Sequence, residues 1–465
     1  MADQTGRKEI RSMNGIQDKN EGKTWSPINR VVGDRLIWIV TILLLMFSVL
    51  VVYSSTSLAR GTSRLDLGKE QLFVASACLL GILFIYKVGT LGIFRWFGKY
   101  SFLLSFAALA FLLLRLDLGP IAKAGQANGA YRFITLFGFQ LHIFEAVKVI
   151  MVMYIAWACE ALKNGQAPLA EKLSQFKGLG WLKGEGGKSF LYVILPIGIV
   201  VVMILPNGNS SAIMIGVFLV VTALIGGIKF KHMLLPAMIG VAVLMLAFTI
   251  MPGGGRIGTM KSRIESMLSD PMETMSDALK HGDKQTFRKV YDKNWQPLSA
   301  KLAIAEGGLI GKGIGNSTQK YKVAKIYEDY AFSFIIEEYG LIVGLFILSL
   351  YATLLARGAV LVRHCESFFA KILIAGLVLT ISGQAMVHVL VNVHLFPQTG
   401  QTLPIISHGN SSLLFFSLAL GMILCVSKYS KLQMDMKREE MEPIIVRNEN
   451  VNNTLDELDQ FESET

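Results

Sequence analysis

Long, uninterrupted apolar runs dominate the pattern along this chain. They lie near 36–54, 72–90, 100–114, 143–162, 188–205, 211–228, 233–251, 330–356, 369–395 and 411–427. A run of about 18 or more apolar residues crosses the roughly 30 Å hydrocarbon core of a bilayer as a helix. The pattern predicts an all-α, polytopic membrane protein of about ten spans. The third run is short and is expected to extend at one end. Polar stretches set off a tail over 1–35, a membrane domain over 36–428 and a second tail over 429–465, which turns acidic and reads as disordered. One connection, about 252–328, is far longer than the rest and opens on Gly253, Gly254 and Gly255. Loops of that length are functional or disordered.

Composition agrees. Apolar residues make up 52% and charged residues only 17%, where a soluble domain carries roughly a quarter charged. The net charge of +11 does not indicate nucleic acid, because the basic residues flank the spans. Arg7, Lys8, Arg11, Lys19, Lys23, Arg30 and Arg35 fill the first tail. Arg95 and Lys99, then Lys163, Lys172, Lys177 and Lys183, then Lys229 and Lys231, then Arg357 and Arg363 occupy alternate connections. The loops 206–210 and 396–410 hold neither Lys nor Arg. Cytoplasmic loops are the Lys/Arg-rich ones. Both termini are therefore expected inside, and the long connection outside. The four cysteines, Cys78, Cys159, Cys365 and Cys425, fall in or near spans without disulfide or metal spacing and read as packing residues. The first apolar run begins only at Leu36 and is too long for a cleavable signal, so it is expected to remain as an anchor.

Ionisable groups inside a bilayer cost several kcal/mol and are functional candidates by default. In "KIYEDYAFSFIIEEYG", Asp329 stands where the long loop enters the eighth span. Glu337 and Glu338 lie about 12 and 13 Å further along a straight helix. Asp329 suits a helix cap as well as chemistry, and the two glutamates suit a buried ion pair. In "FQLHIFEAVKVIM", Glu145 and Lys148 share a helix face, as a local salt bridge or as the lining of a cavity. Gln384, His388 and Asn392 recur every four residues in the ninth span. Gln and Asn are poor zinc ligands, so this stripe is expected to bond helix to helix. "GGLIGKGIGNS" is only superficially a phosphate loop, since Lys312 precedes Gly313 rather than Ser or Thr.

Together these segments resemble the SEDS family (shape, elongation, division and sporulation) over about Asp34 to Lys428. The opening "DRLIWIVTILLLMFSVLVVYSSTS" is similar to the cell-division branch rather than the elongation branch. Arg132, Gln140, Glu145 and Lys148 match a second family segment, with Phe133 in place of the usual Trp. Gly313, Gly315, Asn316, Ser317 and Gln319 match the most specific motif. Asp329 takes the family's acidic position, "EEYGLIVG" follows it, and Pro397, Thr399, Gly400, Leu403, Pro404, Ser407, Gly409 and Ser411 match the last loop. His408–Gly409–Asn410 departs from the family's Tyr-Gly-Gly, and Asn207 replaces an Asp.

The resemblance implies a peptidoglycan glycosyltransferase that polymerises lipid II in the bacterial cytoplasmic membrane at the division septum. It implies Asp329 as the catalytic residue, acting as a base or as the ligand of a divalent cation (Mg2+ or Mn2+). Arg132, Lys148, Arg263 and Lys320 are expected to contact lipid phosphate. Glu145, Asn316, Ser317, Gln319 and Ser407 complete the expected substrate site. A class B penicillin-binding protein transpeptidase and other division proteins are the implied partners. The rival readings are a lipid II flippase, which would depend most on Glu145, Lys148, Glu337 and His388, and a non-catalytic division scaffold.

Overall fold

The computed structural model describes residues 32–55, 64–127, 129–233, 240, 263, 271–323 and 326–434. Among these, seven helices are long and apolar enough to cross a membrane. They are α1 (Arg35–Ser55), α2 (Arg64–Val88), α3 (Leu91–Leu113), α6 (Glu185–Ile204), α11 (Ala331–His364), α12 (Phe368–Asn392) and α13 (Asn410–Met434). Two further predicted spans appear as α4 (Ile143–Lys163), whose charges include Glu145, Lys148 and Glu160, and the shorter apolar helix α7 (Asn209–Ile225). The run 233–251 lies mostly outside the described residues, as do the three glycines 253–255. The short third run does extend, back to Leu91, where the Thr90 side chain accepts from the Ile93 amide.

The helices pack through α4, α12 and α13, which are the most enclosed, while α2 and α3 present broad apolar faces outward. That inversion of the soluble pattern follows from lipid as the solvent. Within α6 a π-helical turn at Phe190–Ile194 precedes Leu195–Ile204. Pro196 cannot donate to the ladder there, and a π turn is one way for a helix to absorb the lost bond.

Contacts sort the connections into two ends. At one end Asp34 caps α1 and takes an ion pair from Arg357 (2.7 Å to Nε), Arg95 forks onto Glu160 (2.8 Å twice), and Tyr86 donates to Val32 O (2.6 Å). At the other, Asn410 reaches Glu70 (3.1 Å), the Tyr131 amide reaches Asn207 (3.2 Å) and Ser407 reaches Glu328 O (3.0 Å). The first is the Lys/Arg-rich end. The second, the loop end, carries the long connection and both loops that lack basic residues.

The helical expectation holds for the spans, and the loop end adds a small sheet to them. Between α3 and α4 runs a three-stranded antiparallel sheet of β1 (Ala122–Ala127), β2 (Ala130–Leu136) and β3 (Phe139–His142), in the order β1-β2-β3. Ala122 pairs with Leu136 and Phe133 with His142, with a register shift at Gly125/Gln126. Phe137 and Gly138, both with positive φ, form the two-residue turn between β2 and β3, a geometry that matches strand twist. Gly125 lets the Phe133 ring lie against the backbone, since a Cβ there would sit 1.9 Å from it.

The described part of the long connection also folds. It forms α8 (Pro271–Lys280) and α9 (Lys284–Gly307), and the Asp283 carboxylate caps α9 by accepting from the Gln285 and Thr286 amides (3.1 and 3.0 Å). A helical turn α10 (Ile326–Asp329) leads into α11. α11 is not straight: Gly340 (φ 86°, ψ 168°) breaks it, leaving a short helical stretch between Tyr330 and Tyr339. A Cβ on Gly340 would meet Leu309 O at 2.3 Å. Gly340→Ala is therefore expected to destabilise the chain by at least about 1–3 kcal/mol, the usual cost of such backbone strain. A thermal midpoint in detergent equal to that of the parent would contradict it.

Candidate active site

Three polar groups build the loop end. The first explains the glycine-rich motif. The loop following α9 folds over the break at Gly340, and its amides wrap the two glutamates. Gly315 N and Ser317 N donate to the Glu338 carboxylate (3.1 and 3.3 Å). Thr318 N and Gln319 N donate to Glu337 Oε1 (2.8 and 3.3 Å), and Ser317 Oγ donates to Glu337 Oε2. Successive amides in such turns make a concave anion site. Here the anions are the protein's own carboxylates. Lys320 Nζ is buried and spent on Glu338 Oε1 (3.2 Å), Gly315 O (2.7 Å) and Ser54 O (3.2 Å). Lys312 bonds Glu306 and Glu337, and that contact with Lys312 holds Glu306 below the usual carboxylate range. Ser54, at the end of α1, bonds Glu338 and accepts from Gly315 N. The Tyr-Ser-Ser end of the first span and the glycine loop thus form one unit.

The second group surrounds Asp329. This residue is the last of α10. It does not cap α11, whose N-cap is Tyr330, without a side-chain cap bond. Its carboxylate faces Gly400, whose Cβ position would lie 3.9 and 4.0 Å from the two oxygens. Gly400 has φ +64°, and its missing side chain leaves that approach open. Arg263 donates to Gln398 O (2.9 Å) in the same loop. Ser407 braces this corner by accepting from Leu403 N (2.8 Å) and donating to Glu328 O. His408 N donates to Tyr327 O (3.0 Å). Among the described residues no three His, Cys, Asp or Glu side chains cluster as a metal site. One Asp carboxylate fits a hydrated cation shared with phosphate oxygens rather than a cage of protein ligands.

The third group is a buried polar core that joins the helices beneath. Lys148 Nζ pairs with Glu145 (2.7 Å) and reaches Gln384 and Gln401 (3.4 Å). Gln401 O meets His388 Nδ1 (2.7 Å), and Gln401 Nε2 donates to Ser211 (2.9 Å). One turn on, Asn392 Oδ1 accepts from Ser333 N and Oγ (3.0 and 2.8 Å), and its Nδ2 lies 3.5 Å from Asp329 O. The stripe Gln384, His388 and Asn392 does bond helix to helix, and it runs from Lys148 to the backbone of Asp329. Lys148→Met is expected to leave Glu145 without its cation. Breaking a buried pair costs about 3–5 kcal/mol, and the partial exposure of Glu145 favours the lower end. The double variant with Glu145→Gln should recover most of the loss. A double-mutant cycle on thermal unfolding without coupling would contradict this.

The expected site residues therefore fall into separate places. Asp329, Arg263 and Ser407 share one corner. Glu145 and Lys148 lie in the core, with Lys148 enclosed by protein. Arg132, on β2, donates through Nε to Asn207 O (3.4 Å) beside the sheet. Ser317, Gln319 and Lys320 serve the glutamate clamp, and Asn316, exposed, closes its own loop on Lys312 O (3.1 Å). Glu337 and Glu338 are buried and ion-paired, as the sequence suggested, with Lys312 and Lys320 of the loop that folds in to meet them. Sequence reading missed Gln401, which only the folded loop brings under Lys148.

The fold and this loop-end site define a multi-pass membrane protein whose polar chemistry gathers at one membrane face. Over residues 34–432 the chain matches the FtsW/RodA/SpoVE cell cycle protein family, and it belongs to that family. It is 27% identical over 409 residues to stage V sporulation protein E of Bacillus subtilis, covering 86% of this chain and 98% of that one. It is 29% identical over 337 residues to the probable peptidoglycan glycosyltransferase FtsW of Hahella chejuensis, covering 71% and 74%. Among solved structures it is similar to a chain of a peptidoglycan synthase complex, with a TM-score of 0.60 at 18% identity over 86% of this chain and 98% of that one. It is also similar to the rod shape determining protein RodA of Thermus thermophilus, with a TM-score of 0.53 at 19% identity over 86% and 98%.

Proposed function

We propose that this chain is the division-type lipid II polymerase of its cell, a peptidoglycan glycosyltransferase working at the septum beside a class B penicillin-binding protein. The observation that carries the reading is the placement of Asp329. A carboxylate stands at the loop end, facing an open glycine in a loop that an arginine also contacts, at one end of a membrane-spanning helical domain. The names of the relatives support the reaction class, and the opening of α1 supports the division branch.

The substrate joins a polyprenyl chain, a pyrophosphate and a disaccharide-peptide. Its acceptor sugar hydroxyl attacks the anomeric carbon of the lipid-linked donor, pyrophosphate leaves and the configuration inverts. Asp329 acts on this step by taking the hydroxyl proton. A positioned base is worth typically about 10²–10⁴ in rate. Alternatively it holds a divalent cation that would neutralise the leaving pyrophosphate. Arg263 and Arg132 are the cations of the loop end best disposed for phosphate, since Arg presents a planar fork to it. Lys148 and Lys320 act at one remove, by holding the core and the glycine loop.

The reading requires the loop end to face outside. In a cysteine-free variant, Lys284→Cys on α9 should react with an impermeant maleimide added to intact cells. Labelling of that introduced thiol only after the cytoplasmic side is opened would overturn the orientation and the reaction with it.

A further inference from the structure

At the basic end, the connection from α4 to α6 and the turn after α7 fold against one another. Lys229 pairs with Glu185, and His232 lies beside Gly186. The two segments, 163–188 and 226–233, hold seven lysines against two glutamates. Both glutamates are engaged, Glu171 by Lys188 (3.9 Å) and Glu185 by Lys229. Lys172, Lys177, Lys183 and Lys231 are exposed, and among the described residues none of the four stands within salt-bridge distance of a carboxylate, Lys231 acting on Glu185 only at longer range. Between them large rings stand out into solvent: Phe176 is 65% exposed, Trp181 53% and Phe230 64%. The connection is ordered into the short helix α5 (Pro168–Leu173) and a 3-10 turn at Gly180–Lys183, so these side chains sit on a fixed surface next to the ends of membrane helices.

We infer that this surface is a docking site for anionic phospholipid headgroups of the adjoining leaflet, with the aromatic rings seated at the headgroup level. Aromatic rings flanked by lysines are the pattern of an interfacial anchor. The excess of exposed ammonium groups selects lipids carrying net negative charge. The inference is independent of the reaction at the loop end. It also differs from a lysine's role in fixing topology, which ends once the chain is inserted, whereas a docking surface keeps its lipid preference in the folded protein.

The test is hydrogen exchange of residues 165–190 in the full chain, in nanodiscs of phosphatidylcholine alone and with phosphatidylglycerol added. Each lysine near an anionic surface contributes about 1 kcal/mol, or roughly fivefold. Exchange is expected to slow by at least about fivefold in the anionic discs, and the difference should fade in high salt. Replacing Lys172, Lys177, Lys183 and Lys231 by Gln should abolish the difference, and replacing them by Arg should keep it. Should the fourfold Gln variant fail to fold, single Gln variants must each lose part of it. Equal exchange in both lipids, or an undiminished difference in the Gln variants, would overturn the inference.

Discussion

Asp329→Asn is expected to abolish strand polymerisation while leaving the chain folded and still able to bind lipid II. Asn keeps the shape of the side chain, so the turn α10 and its backbone contact with Asn392 survive. It cannot accept a proton at neutral pH and is a poor ligand for a hard cation. Because Asp329 does not cap α11, no helix cap is lost. The expected fall in rate is about 10²–10⁴, a barrier increase of roughly 3–5 kcal/mol. Near-normal turnover in the purified variant would remove Asp329 from the chemistry. Asp329→Cys separates the two roles: a thiolate binds soft metals, so rescue by Cd2+ marks a cation ligand, and absence of rescue marks a base.

The largest effect on stability is expected at Glu338. Its carboxylate accepts from Gly315, Ser317, Ser54 and the buried Lys320. Glu338→Gln leaves the Lys320 ammonium buried without its counter-charge, and removing one partner of a buried pair costs about 3–5 kcal/mol. Replacing both partners, with Lys320→Met added, should be milder than the single change. Thermal unfolding in detergent checks this. A single variant as stable as the parent, or a double variant worse than the single, would show that the glycine loop is held in some other way.

Much of this was legible in the chain because lipid imposes a simple code. Span positions and the grouping of loops follow from apolar runs and lysine placement, and the contacts of Asn410, Ser407 and Tyr131 gather the same connections at one end. Asp329 stood out as a charge at a span boundary. Local pattern does not carry long-range pairing, and there the sequence said less. The glycine motif resembled a phosphate loop because its amides do bind an anion, yet the anions, Glu337 and Glu338, come from a separate segment. The break at Gly340, just beyond those glutamates, was not legible either, because its positive φ goes with the close approach of Leu309 from a separate segment. The sheet was missed because its strands are short and flank a membrane helix, although the Asn-Gly pair at 128–129 is a hairpin signal.

The central claim is that this chain joins lipid II into glycan. The direct measurement uses the purified chain with the proposed penicillin-binding partner, the transpeptidase blocked, and lipid II as the sole substrate. A ladder of glycan strands from the parent chain is the predicted result. Movement of lipid II across the bilayer without any strand product would contradict the claim and leave a flippase.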